Sequence, residues 1–174
     1  MQIFLYLCLY IFLFSSVSMA ACRPDSIPAS TPDSQLTDNG DYTISDKKTG
    51  LMWKKCVEGV SGTSCNAGSP VTLNWQQALD RPGNINSGAG FAGYTDWRLP
   101  NIKELSSIVE RQCTHPAINL NRFPNTLPQR VWSSSPHHEW GNRAWDVHFG
   151  NGGTIVNSTT RETAKQVRLV RGGQ

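Results

Sequence analysis

No two cysteines in this chain are spaced C-x-x-C, and its four histidines do not sit at ligand intervals from the cysteines, which removes a zinc-finger reading. No basic cluster occurs, so nucleic acid is not an expected partner. The serine run Ser133, Ser134 and Ser135 has no nucleophile elbow around it, so these residues read as strand or hairpin serines, not a hydrolase nucleophile. His137, His138 and Glu139 could be imagined around a metal with His148. Adjacent histidines in a polar loop are more often solvated, so neither metal nor other cofactor is expected.

Charge is also missing from the first twenty residues. There Ile3 to Phe14 are almost wholly apolar, and Ser18 and Ala20 supply the small side chains of a cleavage site. The run is short for a bilayer span, so residues 1–20 read as a signal peptide. A competing reading takes Met19-Ala20-Ala21-Cys22 as a loose lipobox, with a membrane anchor through a lipidated Cys22. Without Cys8, which lies in the leader, four cysteines remain, and an even count in an exported chain implies two disulfides. Cys56 and Cys65 flank a Gly- and Ser-rich loop that can close on itself, which leaves Cys22 with Cys113. On chain-entropy arithmetic the short bridge contributes about 3 kcal/mol and the long one nearly ~5 kcal/mol.

What remains is the size of one domain: an irregular arm over 21–40, rich in Pro, Ser and Asp, then a unit over 41–174. The net charge is +3, with acidic residues toward the start and arginines toward the end, a balance that can attract an acidic polysaccharide. Tyr42–Ile44 and Leu51–Trp53 read as a hairpin. Asn74 or Thr72 caps a helix that runs through Leu79 and stops at Pro82-Gly83. Trp97–Leu99 reads as a short strand before Pro100, followed at once by a helix with Asn101 and Glu104 as a capping box. Its buried stripe is Ile102, Leu105, Ile108 and Val109, with Lys103, Ser106, Ser107 and Glu110 on the other side. Residues 114–130 carry three prolines and read as an ordered loop. Strands follow at Val131–Ser133, Trp145–Phe149, Thr154–Val156 and Val167–Val170. Trp53, Trp75, Trp97, Trp132 and Trp145 are expected in the core.

The alternation Trp145, Val147, Phe149 points these side chains inward and therefore Asp146 and His148 outward. Beside them lie His137, His138, Glu139, Trp140 and Asn142 in one loop and Asn151, Asn157 and Arg161 in the next. These ten polar and amphipathic residues make the expected ligand-binding face, with Trp140 as the natural ring to stack on a sugar.

Several blocks carry a family resemblance: Thr49-Gly50-Leu51-Met52-Trp53 with Cys56 and Cys65, Asn74-Trp75-Gln76-Gln77-Ala78-Leu79, Trp97-Arg98-Leu99-Pro100-Asn101, Val131-Trp132-Ser133-Ser134-Ser135-Pro136 and Val167-Arg168-Leu169-Val170-Arg171. In this order they resemble the Legionella collagen-like protein C-terminal domain family. The Arg-Leu-Pro and helix also resemble the formylglycine-generating-enzyme branch of C-type-lectin-like folds. The resemblance implies an α+β, disulfide-stabilised, single C-type-lectin-like domain, with short helices packed on small antiparallel sheets. It further implies an exported binding or adhesion module, at the periplasm, the cell surface or outside the cell. Some relatives are adhesins for sulfated polysaccharides, and others are targets of diversity-generating retroelements. The calcium-lectin motifs Glu-Pro-Asn and Gln-Pro-Asp are absent, and no cysteine follows Cys113, so neither calcium-bridged sugar binding nor formylglycine-type chemistry is expected. The expected partner is a glycan, such as a sulfated polysaccharide, or a surface protein, and the chain is not expected to be an enzyme. The alternatives are a hydrolase or other enzyme on the same scaffold, or a structural envelope component.

Overall fold

The computed structural model describes residues 21–150 and 159–172. The expected leader, its cleavage site and the Thr154–Val156 strand lie outside them. In chain order the elements are β1 (Ala21–Cys22), β2 (Leu36–Asp38), β3 (Thr43–Asp46), β4 (Leu51–Lys54), β5 (Val60–Ser61), β6 (Ala67–Gly68), β7 (Thr72–Leu73), α1 (Trp75–Ile85) and α2 (Ile102–Ser107). There follow β8 (Cys113–Thr114), β9 (Arg130–Pro136), β10 (Arg143–His148), β11 (Thr159–Thr160), β12 (Lys165–Gln166) and β13 (Val170–Gly172). Two sheets dominate, ordered β11-β10-β9-β12-β7 and β13-β4-β3-β2, and two-stranded pairs β1-β8 and β5-β6 flank them. The architecture is α+β. One pairing, β12 with β9, is parallel, so the larger sheet is mixed and not purely antiparallel as expected. Both disulfides are present, Cys56–Cys65 and Cys22–Cys113.

Leu51 and Trp53 on β4 are buried while Met52 and Lys54 are half-buried, the period-two pattern of a strand with one covered face. They join Ile44, Leu105, Ile108, Phe123, Val147, Phe149 and Val170 in the larger core. A second core gathers Trp75, Ala78, Trp97, Trp132, Val167 and Leu169 beneath α1. Four of the five tryptophans expected inside are there, and Trp145 is only half-buried.

Both capping boxes are closed: Asn74 with Gln77 on α1, Asn101 with Glu104 on α2. Yet α1 does not stop at Pro82. Trp75, Ala78 and Pro82 fall on one face and are all buried, so packing of the ring holds the helix together through a position that lacks an amide donor. The segment Trp97–Leu99 is not a strand. Only Arg98 forms a bridge, exchanging backbone bonds of 2.8 and 3.0 Å with Val170, while its guanidinium forks onto Glu104 at 2.7 Å twice and onto the Gly172 carbonyl. Similarly, Val167–Leu169 lies between β12 and β13 without being a strand, although Lys165 to Val170 are all buried. The arm is more ordered than expected, because β2 completes the four-stranded sheet.

Glu110 reverses its sequence reading. It is 3% exposed, because α2 ends at Ser107 and the chain turns its next residues inward. Its carboxylate accepts bonds from the Ser30 and Thr31 amides, both of their hydroxyls and the Gln112 amide, at 2.8 to 3.1 Å. Burial pushes its pKa up, but these bonds outweigh burial and hold it below the ordinary 4.5.

Two stability measurements check this account. Leu105→Ala should cost about 2–5 kcal/mol in a denaturant titration, and Ser107→Ala no more than ~0.5 kcal/mol. Glu110→Gln should cost about 1–3 kcal/mol at neutral pH, since buried donors lose their acceptor. A lowered carboxylate pKa stabilises above its unfolded value and is lost as pH falls through the folded one. The difference between parent and variant should therefore shrink as pH drops below 4.5.

Candidate functional site

The loop between β9 and β10 is closed by His137 N–H to Arg143 O at 3.0 Å and Arg143 N–H to Trp140 O at 2.9 Å. Inside it the His137 Nδ1 accepts the Glu139 and Trp140 amides at 3.2 and 3.3 Å. That nitrogen is therefore an acceptor. The His137 ring stacks on His138, Trp140 and Trp145 with centroids 4.8, 4.5 and 4.9 Å away. His137 is thus a buried keystone of the loop and not a solvated ligand residue.

Trp140 is 49% exposed, the largest exposure of any large apolar side chain among the described residues. The Arg143 guanidinium lies 4.7 Å from its ring centroid. In the sequence Arg143 is one of the arginines toward the end, and its position three residues after Trp140 is the signal that sets it apart. His138 Nε2 lies 3.4 Å from the Glu139 carboxylate, and both side chains are exposed, a contact of the kind that adds little to stability. Asn142 is exposed, and its carbonyl receives the Arg161 amide at 2.9 Å. Arg161 is less available than expected. Its guanidinium sits 4.1 Å over the Trp75 ring and its Nε donates to the Arg143 carbonyl at 3.2 Å, which fastens the start of α1 to the loop.

Asp146 and His148 do not join this face. Between Ala144 and Asp146 the β9–β10 register shifts, with two more residues on β9 than on β10, and the simple inward–outward alternation breaks there. Trp145 consequently packs half-buried on His137, while Asp146 is fully buried between Arg130 and Lys165, each at 2.7 Å. Lys165 also lies 3.5 Å over the Trp132 ring, and burial pulls its pKa down against the pull of Asp146. His148 lines a separate groove of about 440 Å³ with Leu127, Gln129, Arg130 and Thr163. Its Nδ1 accepts the Gly150 amide at 2.9 Å. Asn151 and Asn157 lie outside the described residues.

The serine run is committed to the scaffold. Ser133 is fully buried and donates to the Trp145 carbonyl at 2.7 Å, and Ser135 Oγ accepts the Ile102 amide at 3.0 Å. Among the described residues no group of three or more His, Cys, Asp or Glu side chains is placed to hold a metal.

Burial and the nearby Arg130 hold the His148 pKa below 6.5. The folded state therefore binds fewer protons here than the unfolded chain, and stability falls as pH drops through 6.5 toward the folded value. His148→Gln should flatten the thermal midpoint across that window and leave the further loss below 4.5, where carboxylates such as Glu110 titrate, in place.

Among comparisons with known proteins, no curated protein matches the chain. A family model does match: residues 42–171, from the turn before β3 into β13, align with the Lcl C-terminal domain. That span takes in the second core, the larger core except Leu36, and the candidate face. The chain belongs to the Lcl C-terminal domain family.

Proposed function

We propose that this domain is an exported, C-type-lectin-like binding module that adheres to a sulfated polysaccharide through the face centred on Trp140. The observation that carries the reading is the exposed Trp140 ring, held by its stack on His137 and attended by the Arg143 guanidinium. An aromatic ring supplies area at low entropy cost, and arginine supplies forked donors for an oxyanion, so the pair suits a sugar carrying fixed negative charge. His138, Glu139 and Asn142 are exposed around it. Their side chains can vary without disturbing either core, as a face diversified for new ligands requires. Two disulfides fit an oxidising compartment, and among the described residues no helix is long and apolar enough to cross a membrane.

Retention on immobilised heparin, measured against desulfated heparin, tests the reading. Trp140→Ala should weaken binding by about 2 kcal/mol while the thermal midpoint stays put, and binding should fall steeply with salt. Arg161→Ala should lower the midpoint as well, because Arg161 braces Trp75, so it is not the clean variant. Parent-level binding by Trp140→Ala would sink the assignment.

A further inference from the structure

A second cleft, of about 370 Å³, opens between the turn before β3 and the loop after α1. Tyr42 and Phe91 line it with Lys54, and Cys56, Val60, Ser61 and Gly62 form the rest of its lining. Tyr42 is 46% exposed and holds φ at +68°, a left-handed conformation that a bulky residue adopts only at a cost. Its backbone carbonyl accepts the Lys55 amide at 2.9 Å. Its hydroxyl has no hydrogen-bond partner among the described residues. Glycine would fit this turn more cheaply, so the ring itself calls for a use.

The remaining sides are held by the fold, and one of them carries Lys54. Phe91 is set edge-on against Trp97 at 5.6 Å. The Cys56–Cys65 bridge pins the 60–62 segment, and behind it Gly59 and Gly68 approach so closely that a Cβ on either would lie 2.4 Å from a backbone oxygen. Lys54 Nζ lies 4.2 Å from the Phe91 centroid. Its carboxylate partner, Glu58, is 1% exposed and is shared between Lys54 at 2.5 Å and Arg81 at 2.9 Å, while buried Arg168 also feels its charge. Lys54 is the one charged side chain in the cleft's lining, and it shares its carboxylate partner with Arg81.

We propose that this cleft binds a ring-shaped carboxylic acid, its flat face against Tyr42 and Phe91 and its carboxylate toward Lys54. The ring can be an aromatic acid or a uronic-acid sugar, which share a flat apolar face and an edge carboxylate. Preformed walls of this size suit a single small ligand.

Amide chemical-shift titration of the purified protein tests it with 4-hydroxybenzoate and methyl glucuronide, against phenol and methyl glucoside as neutral counterparts. At least one acid should bind saturably at millimolar concentration and tenfold or more tighter than its counterpart, and which one does so names the source. Tyr42→Gly should lose at least tenfold in affinity with an unchanged or raised thermal midpoint, since it relieves the positive φ. Lys54→Met should erase the preference for acid over neutral ligand, and Trp140→Ala should bind the acid as the parent does, which separates this site from the Trp140 face. Absence of saturable shifts with both acids, or parent-level affinity in Tyr42→Gly, would overturn the proposal.

Discussion

One enclosed guanidinium ties the end of β4 to the last segment of the chain. Arg168 is 1% exposed and donates to the Lys54 and Lys55 carbonyls at the end of β4 and to the Thr126 hydroxyl at 2.8 Å, with its charge 4.8 Å over the Phe123 ring. Burying a cation is costly, and burial pushes its pKa down to about 9. The acceptors that repay that cost are backbone groups which would otherwise be orphaned where β4 leaves its sheet. On either side, Val167 accepts the Glu58 amide at 2.8 Å and Leu169 accepts the Lys54 amide at 3.0 Å. Val167 and Leu169 enter one core and Val170 the other, so one extended segment joins both.

Cations laid on aromatic rings recur throughout: Lys54 on Phe91, Arg161 on Trp75, Lys165 on Trp132 and Arg171 on Tyr94. This changes the meaning of the basic C-terminal third. Arg130 and Lys165 are bound to Asp146, Arg171 to Asp96, and Arg168 is inside. These cations are therefore committed to contacts within the fold, and local geometry at Trp140 says more about binding than the total charge does.

Local rules carried sequence reading a long way. The capping boxes at Asn74 and Asn101 and the alternation in Leu51–Trp53 depend on neighbours within a few residues, and both disulfides follow from cysteine parity and a loop that can close. Long-range events were not legible. At the register shift in β9–β10 Ser134 donates its amide to the Pro100 carbonyl at 2.8 Å, far away in sequence, and Asp146 lies in the interior instead of at the surface. Glu110 looked like a solvent-side residue because the partners that bury it, Ser30 and Thr31, are some eighty positions away. Pro82 looked like a stop because its packing partners lie on other elements. Of the expected face, Trp140, His138, Glu139 and Asn142 are together at the surface, whereas Asp146 and His148 were misplaced by that shift.

The pairing of β4 with β13 sets an order of events during synthesis. Residues 51–54 emerge early, yet their sheet partner lies at 170–172, and the guanidinium that caps them arrives only at 168. Neither core can close on the nascent chain until this late segment has left the ribosome. A polypeptide that stays open that long keeps all four thiols of the bridges accessible until the chain is complete. Topology here doubles as a delay on folding, well matched to the oxidising setting that two disulfides fit.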